Sequence, residues 1–322
     1  MSVLVYIEQN TEGGVKKSSV ETAYYASKVA EKQGDKAVGL VFGPADTSAL
    51  EALGKVGLSK VLHVADEAFK NFDSKAYAKA ISEVAEKEGS TFVIIPFNQN
   101  GKALGPRLSV RLKAGFVPGA TSLPDDNKVK KTVYSGKAIA NFEFLTDKKL
   151  IALSANSLQV QEGEGTAAVE SATVSVSEAD FATKVLSVET VDGEIPLTEA
   201  ELVVSAGRGL KGPENWQIVE NLAKTLGAAT ACSRPVSDTG WRPHHEHVGQ
   251  TGVTVKPNLY IAAGISGAIQ HLAGVNQSKV IVVINTDEEA PFFKAADYGV
   301  VGDAFEVLPK LNEAVKKFKA AN

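Results

Sequence analysis

A single cysteine in 322 residues closes off two kinds of chemistry. Cys232 can form no internal disulfide and cannot supply a zinc site built from several thiolates, which suits a reducing compartment. No apolar run approaches the roughly 20 residues that a bilayer span needs, so direct membrane insertion is not expected. A surplus of charge is also missing: the formal net charge is -4, and the clustered Lys and Arg that grip nucleic acid are absent, so no nucleic-acid partner is expected. The N-terminal run Met1-Ser2-Val3-Leu4-Val5-Tyr6-Ile7-Glu8 lacks both the basic start of a secretory signal and the Arg-rich pattern of a transit peptide. The expected location is therefore the cytoplasm.

What remains is the composition of an ordinary soluble globular protein, 44% hydrophobic and 22% charged, with length enough for two domains. In the first half, short β-rich runs at Val3–Glu8, Ala37–Phe42, Lys60–Val64 and Thr91–Phe97 alternate with helical patterns such as Val20–Lys32 and Tyr77–Glu88. That alternation predicts a parallel sheet with helices on both faces. After the fourth strand, Asn98-Gln99-Asn100-Gly101 runs toward Pro106-Arg107-Leu108. This is either a binding loop beyond a strand end or a tight strand-to-helix connection with Pro106 in the first turn. The stretch has no G-x-G-x-x-G or Walker A spacing, so the first domain need not bind a nucleotide.

Between Lys128 and Leu153 the pattern predicts three antiparallel strands, Lys130–Tyr134, Ala138–Phe144 and Lys149–Leu153. The turns are Ser135-Gly136-Lys137 and Thr146-Asp147-Lys148. Glu162–Thr166 reads as a mobile polar loop and Lys184–Val191 as a further strand. The acidic, glycine- and proline-bearing run Asp192–Ala200 reads as a connection between domains, with the boundary near Pro196.

The second half is organised around three apolar runs, Leu202–Ser205, Leu259–Ala262 and Val280–Ile284. The first two lead within two residues to a glycine, Gly207 and Gly264. Glycine at the end of a buried parallel strand lets backbone amides approach a ligand, and a following helix start favours an anion. Arg208, between Gly207 and Gly209, could reach a phosphate, although a G-R-G turn alone is weak evidence. Arg234 is placed at the end of a short strand and could equally be a surface ion pair. In Gly264-Ile265-Ser266-Gly267-Ala268-Ile269-Gln270-His271-Leu272, Ser266 is expected to cap a helix starting at Gly267. That would leave the amides of Gly267, Ala268 and Ile269 free for a pyrophosphate, with Gln270 and His271 one turn later. A lone histidine on a short helix is more often structural. The loop Trp241-Arg242-Pro243-His244-His245-Glu246-His247 invites a metal reading, against which stands a solvent-exposed polar loop, the reading preferred here. Cys232 is read as a small buried hydrophobe.

These runs, Gly249-Gln250-Thr251-Gly252, Gly264 to Gly274, Ile284-Asn285, Ala290-Pro291 and Ala296-Asp297-Tyr298-Gly299, resemble the alpha subunit of electron transfer flavoprotein. The resemblance is strong from Leu202 to Pro309 and weaker through the first domain at Gly101 and Pro106-Arg107-Leu108. It implies an α/β fold of two domains. The N-terminal one, 1–195, is a parallel sheet with helices on both faces plus an antiparallel extension, and it forms subunit contacts. The C-terminal one, 196–322, is Rossmann-like and binds noncovalent FAD. It further implies that Arg208, Ser233, Arg234, Val248, Gly249, Gln250, Thr251, Ser266, Gly267, Ala268, Ile269, Gln270, His271, Asn285, Asp303 and Ala304 line the cofactor. Arg234, Thr251 and His271 would lie nearest the isoalloxazine ring, Ser266 and its neighbours nearest the diphosphate, and Asn285 and Asp303 nearest the adenosine. Cationic Arg234 and hydrogen-bonding His271 would then stabilise the anionic one-electron-reduced ring. Where relatives often carry a lysine after Gln-Thr-Gly, this chain has Val253.

The implied role is that of an electron carrier without catalytic or metal residues, paired with an electron transfer flavoprotein beta subunit. It would accept electrons from flavoprotein dehydrogenases, such as those acting on acyl-CoA, and pass them to a quinone oxidoreductase. Alternatives stay open: an electron-bifurcating, NADH-oxidising flavoprotein, an NAD-dependent deacylase or transferase of similar fold, and a binding module without redox activity. The sirtuin form of the deacylase would need four zinc-binding cysteines.

Overall fold

The computed structural model describes residues 2–10, 13–134, 136–188 and 195–321. Packing divides the chain into two compact units, one of residues 1–133 and 138–189 and one of 134–137 and 190–322.

The first unit is built on strands β1 (Ser2–Tyr6), β2 (Lys36–Phe42), β3 (Lys60–Val64), β4 (Ser90–Pro96), β5 (Gly115–Ala120), β6 (Lys128–Val133), β7 (Ala138–Glu143), β8 (Lys149–Leu153) and β9 (Ala168–Ser171). Its helices are α1 (Lys17–Gln33), α2 (Thr47–Glu51), α3 (Ser74–Lys87) and α4 (Gln99–Leu112). The strands form one sheet in the order β7-β6-β5-β8-β4-β1-β2-β3-β9. Side chains of β1 alternate between two cores, Val3 and Val5 packing with α1 on one face and Leu4 and Tyr6 with α3 and α4 on the other. That is the two-sided burial of a parallel strand covered by helices. Asp73 starts α3 by accepting hydrogen bonds from the amides of Lys75 (2.9 Å) and Ala76 (3.1 Å).

Several expectations are corrected here. The antiparallel extension consists of β6 and β7 alone, because Lys149–Leu153 forms β8, which lies parallel between β4 and β5. Pro106 stands in the middle of α4, whose cap is Asn98, rather than in its first turn. The 162–166 segment is tied down at both ends, Gly163 N donating to Lys55 O at 2.8 Å and Ala167 N to Glu51 O at 2.9 Å. Residues 184–188 take no strand, and the rest of the expected strand, with 192–194 of the connection and Ser135 of the first turn, lies outside the described residues.

The second unit contains β10 (Leu202–Ala206), α5 (Gln217–Leu226), β11 (Ala229–Cys232), α6 (Arg234–Asp238), β12 (Leu259–Ala263), α7 (Ile269–Val275), β13 (Val280–Asn285), β14 (Tyr298–Val301) and α8 (Ala304–Ala321). All five strands are parallel, in the order β11-β10-β12-β13-β14. Counted along this unit the order is 2-1-3-4-5, a doubly wound arrangement in which the direction of strand addition reverses between β10 and β12. Ligands of such sheets gather beyond the carboxyl ends at that reversal. One face packs Val204, Ala206, Ile261 and Ala263 against α5 and α8, while the other buries Tyr260, Ala262 and Val283 with Phe292. β14 closes one margin of the sheet and is exposed along its length.

Candidate functional site

The turns that follow β10 and β12 touch through glycine backbones. A Cβ on Gly207 would fall 2.3 Å from the Gly264 carbonyl oxygen, and one on Gly209 would fall 2.6 Å from Gly264 Cα. Gly264 itself has φ +62°, a left-handed conformation that side chains resist. This contact brings Arg208 alongside the Ile265–Ala268 turn. Gly207-Arg208-Gly209-Leu210-Lys211-Gly212 directly after a strand also has G-x-G-x-x-G spacing, a signal that reading only the G-R-G turn passed over.

A cavity of about 400 Å³ opens at this reversal. From the turn after β10 it receives Arg208, from the start of α6 it receives Ser233 and Arg234, and from the following loop Val248, Gly249, Gln250 and Thr251. The segment after β12 contributes Ser266, Gly267, Ala268, Gln270 and His271. The wall also includes Gly264, Ile265, Pro235 and His247, none of which was among the expected site residues. His247 corrects the reading of the histidine-rich loop: His244 and His245 are exposed, but His247 is buried. His244 Nδ1 is hydrogen-bonded to Ser237 Oγ at 2.8 Å.

Four expected residues lie off the cavity wall. Ile269 opens α7 with its side chain exposed. Asn285, at the end of β13, donates from Nδ2 to Ile265 O at 3.0 Å and so braces the glycine turn from behind. Asp303 accepts from Phe305 N at 2.9 Å, and Ala304 is the buried first residue of α8.

The helix after β12 starts two residues later than expected. Gly267 has φ +81° and turns the chain, so α7 begins at Ile269 behind Ala268, and no side chain caps it. Ser266 is exposed, and its carbonyl accepts from Phe292 N at 3.1 Å. The corrected cap still leaves backbone amides without a protein partner. Among the described residues, the amides of Ser266, Gly267, Ala268, Ile269 and Gln270 donate to no protein acceptor. Consecutive unsatisfied amides beside a cavity form a concave patch of partial positive charge. The loop from Val248 is held against this segment by Gln250 N donating to Gln270 O at 2.7 Å, and it closes on itself through Gly249 N donating to Val253 O at 3.1 Å.

Two cations border the cavity. Arg208 is exposed and has no ion-pair partner among the described residues. Arg234 pairs through Nε with Asp238 at 3.3 Å, an exposed contact worth only a few tenths of a kcal/mol by analogy with other i,i+4 pairs (~0.3–0.5 kcal/mol) and easily exchanged for a ligand. Cys232 is fully buried beneath the site, and burial pushes its thiol up to about 12, so it behaves as an inert apolar side chain.

His271 is buried at 7% exposure, its Nε2 3.0 Å from the Tyr260 hydroxyl and its Nδ1 without a hydrogen-bond partner. Burial, and then His247, push its pKa down to about 4; the nearby Val248 backbone favours the proton slightly without reaching hydrogen-bonding geometry. The ring is thus neutral at pH 7. Folding lowers this histidine below its ordinary 6.5, so the unfolded chain takes up the proton first as pH falls. Its stabilising effect is complete above pH 6.5 and is lost as pH falls toward 4, a change on the order of 3 kcal/mol. Urea unfolding midpoints measured across that window should rise with pH, and the rise should shrink in His271→Gln. An equal rise in the variant would assign it to other groups, His247 among them, whose pKa burial also lowers.

A doubly wound parallel sheet with free amides, two arginines and a buried neutral histidine around its reversal point defines a dinucleotide-cofactor protein. Residues 196–276 match the electron transfer flavoprotein FAD-binding domain, and residues 3–179 match the electron transfer flavoprotein domain. The electron transfer flavoprotein subunit alpha of Syntrophomonas wolfei is 38% identical over 317 residues, covering 97% of this chain and 98% of that protein. That of Bacillus subtilis is 40% identical over 286 residues, covering 87% of each. Protein FixB of Clostridium saccharobutylicum is 34% identical over 327 residues, covering 99% of this chain and 97% of its own. The chain belongs to the electron transfer flavoprotein alpha subunit family, whose cofactor is FAD and whose role is electron transfer rather than enzymatic catalysis. Among the described residues no helix is long and apolar enough to cross a membrane.

Proposed function

We propose that residues 196–322 hold one FAD in the cavity at the β10/β12 reversal, and that residues 1–195 make the contacts of a heterodimer with a beta subunit. In this assembly the chain is a cytoplasmic carrier that accepts electrons from flavoprotein dehydrogenases of the acyl-CoA type, as in fatty acid β-oxidation, and passes them to a quinone oxidoreductase. The observation that carries the reading is the conjunction, in one cavity, of the acceptor-free amides of Ser266, Gly267, Ala268 and Gln270 with a buried histidine nitrogen without a partner.

The amides of Ser266 to Gln270 and the Arg208 guanidinium would neutralise the diphosphate. Asn285, Asp303 and Ala304, at the same carboxyl edge of the sheet, belong to the adenosine end, where an acidic residue suits a sugar hydroxyl. Arg234, Thr251 and His271 would surround the isoalloxazine ring, which supplies one-electron chemistry when bound. A positive charge and hydrogen-bond donors at that end favour the form of the ring that has gained an electron. Ser233, Val248, Gly249 and Gln250 shape the wall between the two ends.

Coexpression with the beta subunit, followed by an absorption spectrum and a stepwise reductive titration, tests the reading. The expected result is one FAD per heterodimer and a red anionic form at half reduction. A colourless complex would overturn it. A second flavin with reduction by NADH would place the chain instead in an electron-bifurcating assembly.

A further inference from the structure

We propose that Tyr260 is a positioning residue for His271. In this assignment its hydroxyl donates to Nε2, holds the neutral imidazole in the Nδ1–H tautomer, and thereby presents one buried N–H donor to the flavin ring. The inference rests on the placement of FAD given above, and it concerns a residue outside the cavity wall.

The argument begins with satisfaction of buried polar groups. Tyr260 is completely buried on β12, on the sheet face that packs with Phe292. A buried phenol must place its proton, and the hydrogen bond available to this one is with His271 Nε2 at 3.0 Å. Burial raises the Tyr260 pKa strongly, so the hydroxyl keeps its proton throughout the working pH range. Ser205 approaches the phenol closely enough to lower its pKa as a hydrogen-bonding neighbour does, but its hydroxyl lies outside hydrogen-bonding geometry, which leaves His271 Nε2 as the acceptor within reach. If His271 instead donated from Nε2, the phenol proton would be left buried and unbonded, at the full desolvation penalty of that group. The favourable arrangement is Tyr260 as donor and Nε2 as acceptor. A neutral imidazole accepting at Nε2 carries its proton on Nδ1. That nitrogen is buried and has no partner in the chain, and His271 lines the cavity.

The ring is also fixed in orientation. The Tyr260 and His271 ring centres are 6.1 Å apart, and Phe292 meets the imidazole edge-on at 5.6 Å with an interplanar angle of 73°. A donor held this way needs little reorganisation when the neighbouring ring gains charge. A flavin bound there would supply the one-electron chemistry, taking an electron from a donor protein with no bond formed or broken, while His271 would keep its Nδ1 proton. Its hydrogen bond would strengthen as the acceptor became negative.

The test uses the FAD-loaded heterodimer with 15N-labelled imidazoles. In the wild type the His271 nitrogen shifts should report Nδ1 protonated and Nε2 bare, a readout that needs no variant. Y260F, which keeps the ring and removes the hydroxyl, should move the signals toward the other tautomer. It should also lower the equilibrium accumulation of the one-electron-reduced flavin about tenfold, the loss of one hydrogen bond to a charged group. In an H271Q background Y260F should have no further effect. A protonated Nε2 in the wild type would overturn the proposal, as would a Y260F complex with bound FAD and unchanged accumulation, or an equal Y260F effect without His271. Loss of flavin from the wild-type complex, or indifference of its reduction to H271Q, would instead strike at the placement of the cofactor.

Discussion

Gly264→Ala should lower the stability of the second unit by about 2–4 kcal/mol, the sum of a left-handed backbone cost near 1 kcal/mol and an overpacking cost of about 1–3 kcal/mol. The added methyl would lie 2.8 Å from Gly209 Cα, and Gly209 is backbone with no side chain to move aside. Relief would require separating the β10 and β12 turns, which is where Arg208 and the free amides meet. The variant should therefore unfold at lower urea and lose its FAD on gel filtration. Gly227→Ala is the control: Gly227 also has a left-handed φ, +74°, but nothing lies within 4 Å of its added Cβ. It should cost only the conformational share, about 1 kcal/mol. Equal losses in the two variants would remove the close approach as the explanation.

Arg234→Gln should leave folding almost untouched and change the redox behaviour. The Asp238 partner is exposed, and such pairs contribute ~0.2–1 kcal/mol at most. A charge-assisted hydrogen bond to the reduced ring is worth about 1.5–3 kcal/mol, so the one-electron-reduced FAD should accumulate on the order of 10- to 100-fold less during titration. Arg234→Lys keeps the charge but not the planar fork and should fall between the two. Accumulation unaltered by the glutamine would take Arg234 away from the ring.

Much of the scaffold was readable because buried parallel strands are continuous apolar runs. Lys60–Val64 coincides with β3, and the runs from Leu202, Leu259 and Val280 became β10, β12 and β13. β5 was not foreseen, since Gly115-Phe116-Val117-Pro118-Gly119-Ala120 carries one proline and two glycines that read as a turn. Its place beside β8 comes from pairing at long range. The same nonlocality explains the misplaced Lys149–Leu153: a hairpin follows from adjacent residues, but insertion between β4 and β5 does not. β14, four residues long and containing Gly299, has too little periodicity to announce itself. At the site, residue types pointed to a segment that lines the cavity, but the helix start was misread because Ser266 looks like a cap while the conformation is decided by Gly267 against Phe292. Tyr260 was invisible as a functional candidate, because an aromatic in an apolar strand looks like core until its hydroxyl is found on a histidine.

The bare margin of the second sheet bears on how the chain must be made. β14 offers a row of peptide groups on its outer side, together with Tyr298, Val300 and Val301 as exposed side chains. Such a rim can seed strand addition between identical copies, and it carries none of the lysines or prolines that discourage it. High concentrations of the chain would therefore favour clumping through this rim, which makes its abundance a matter of solubility.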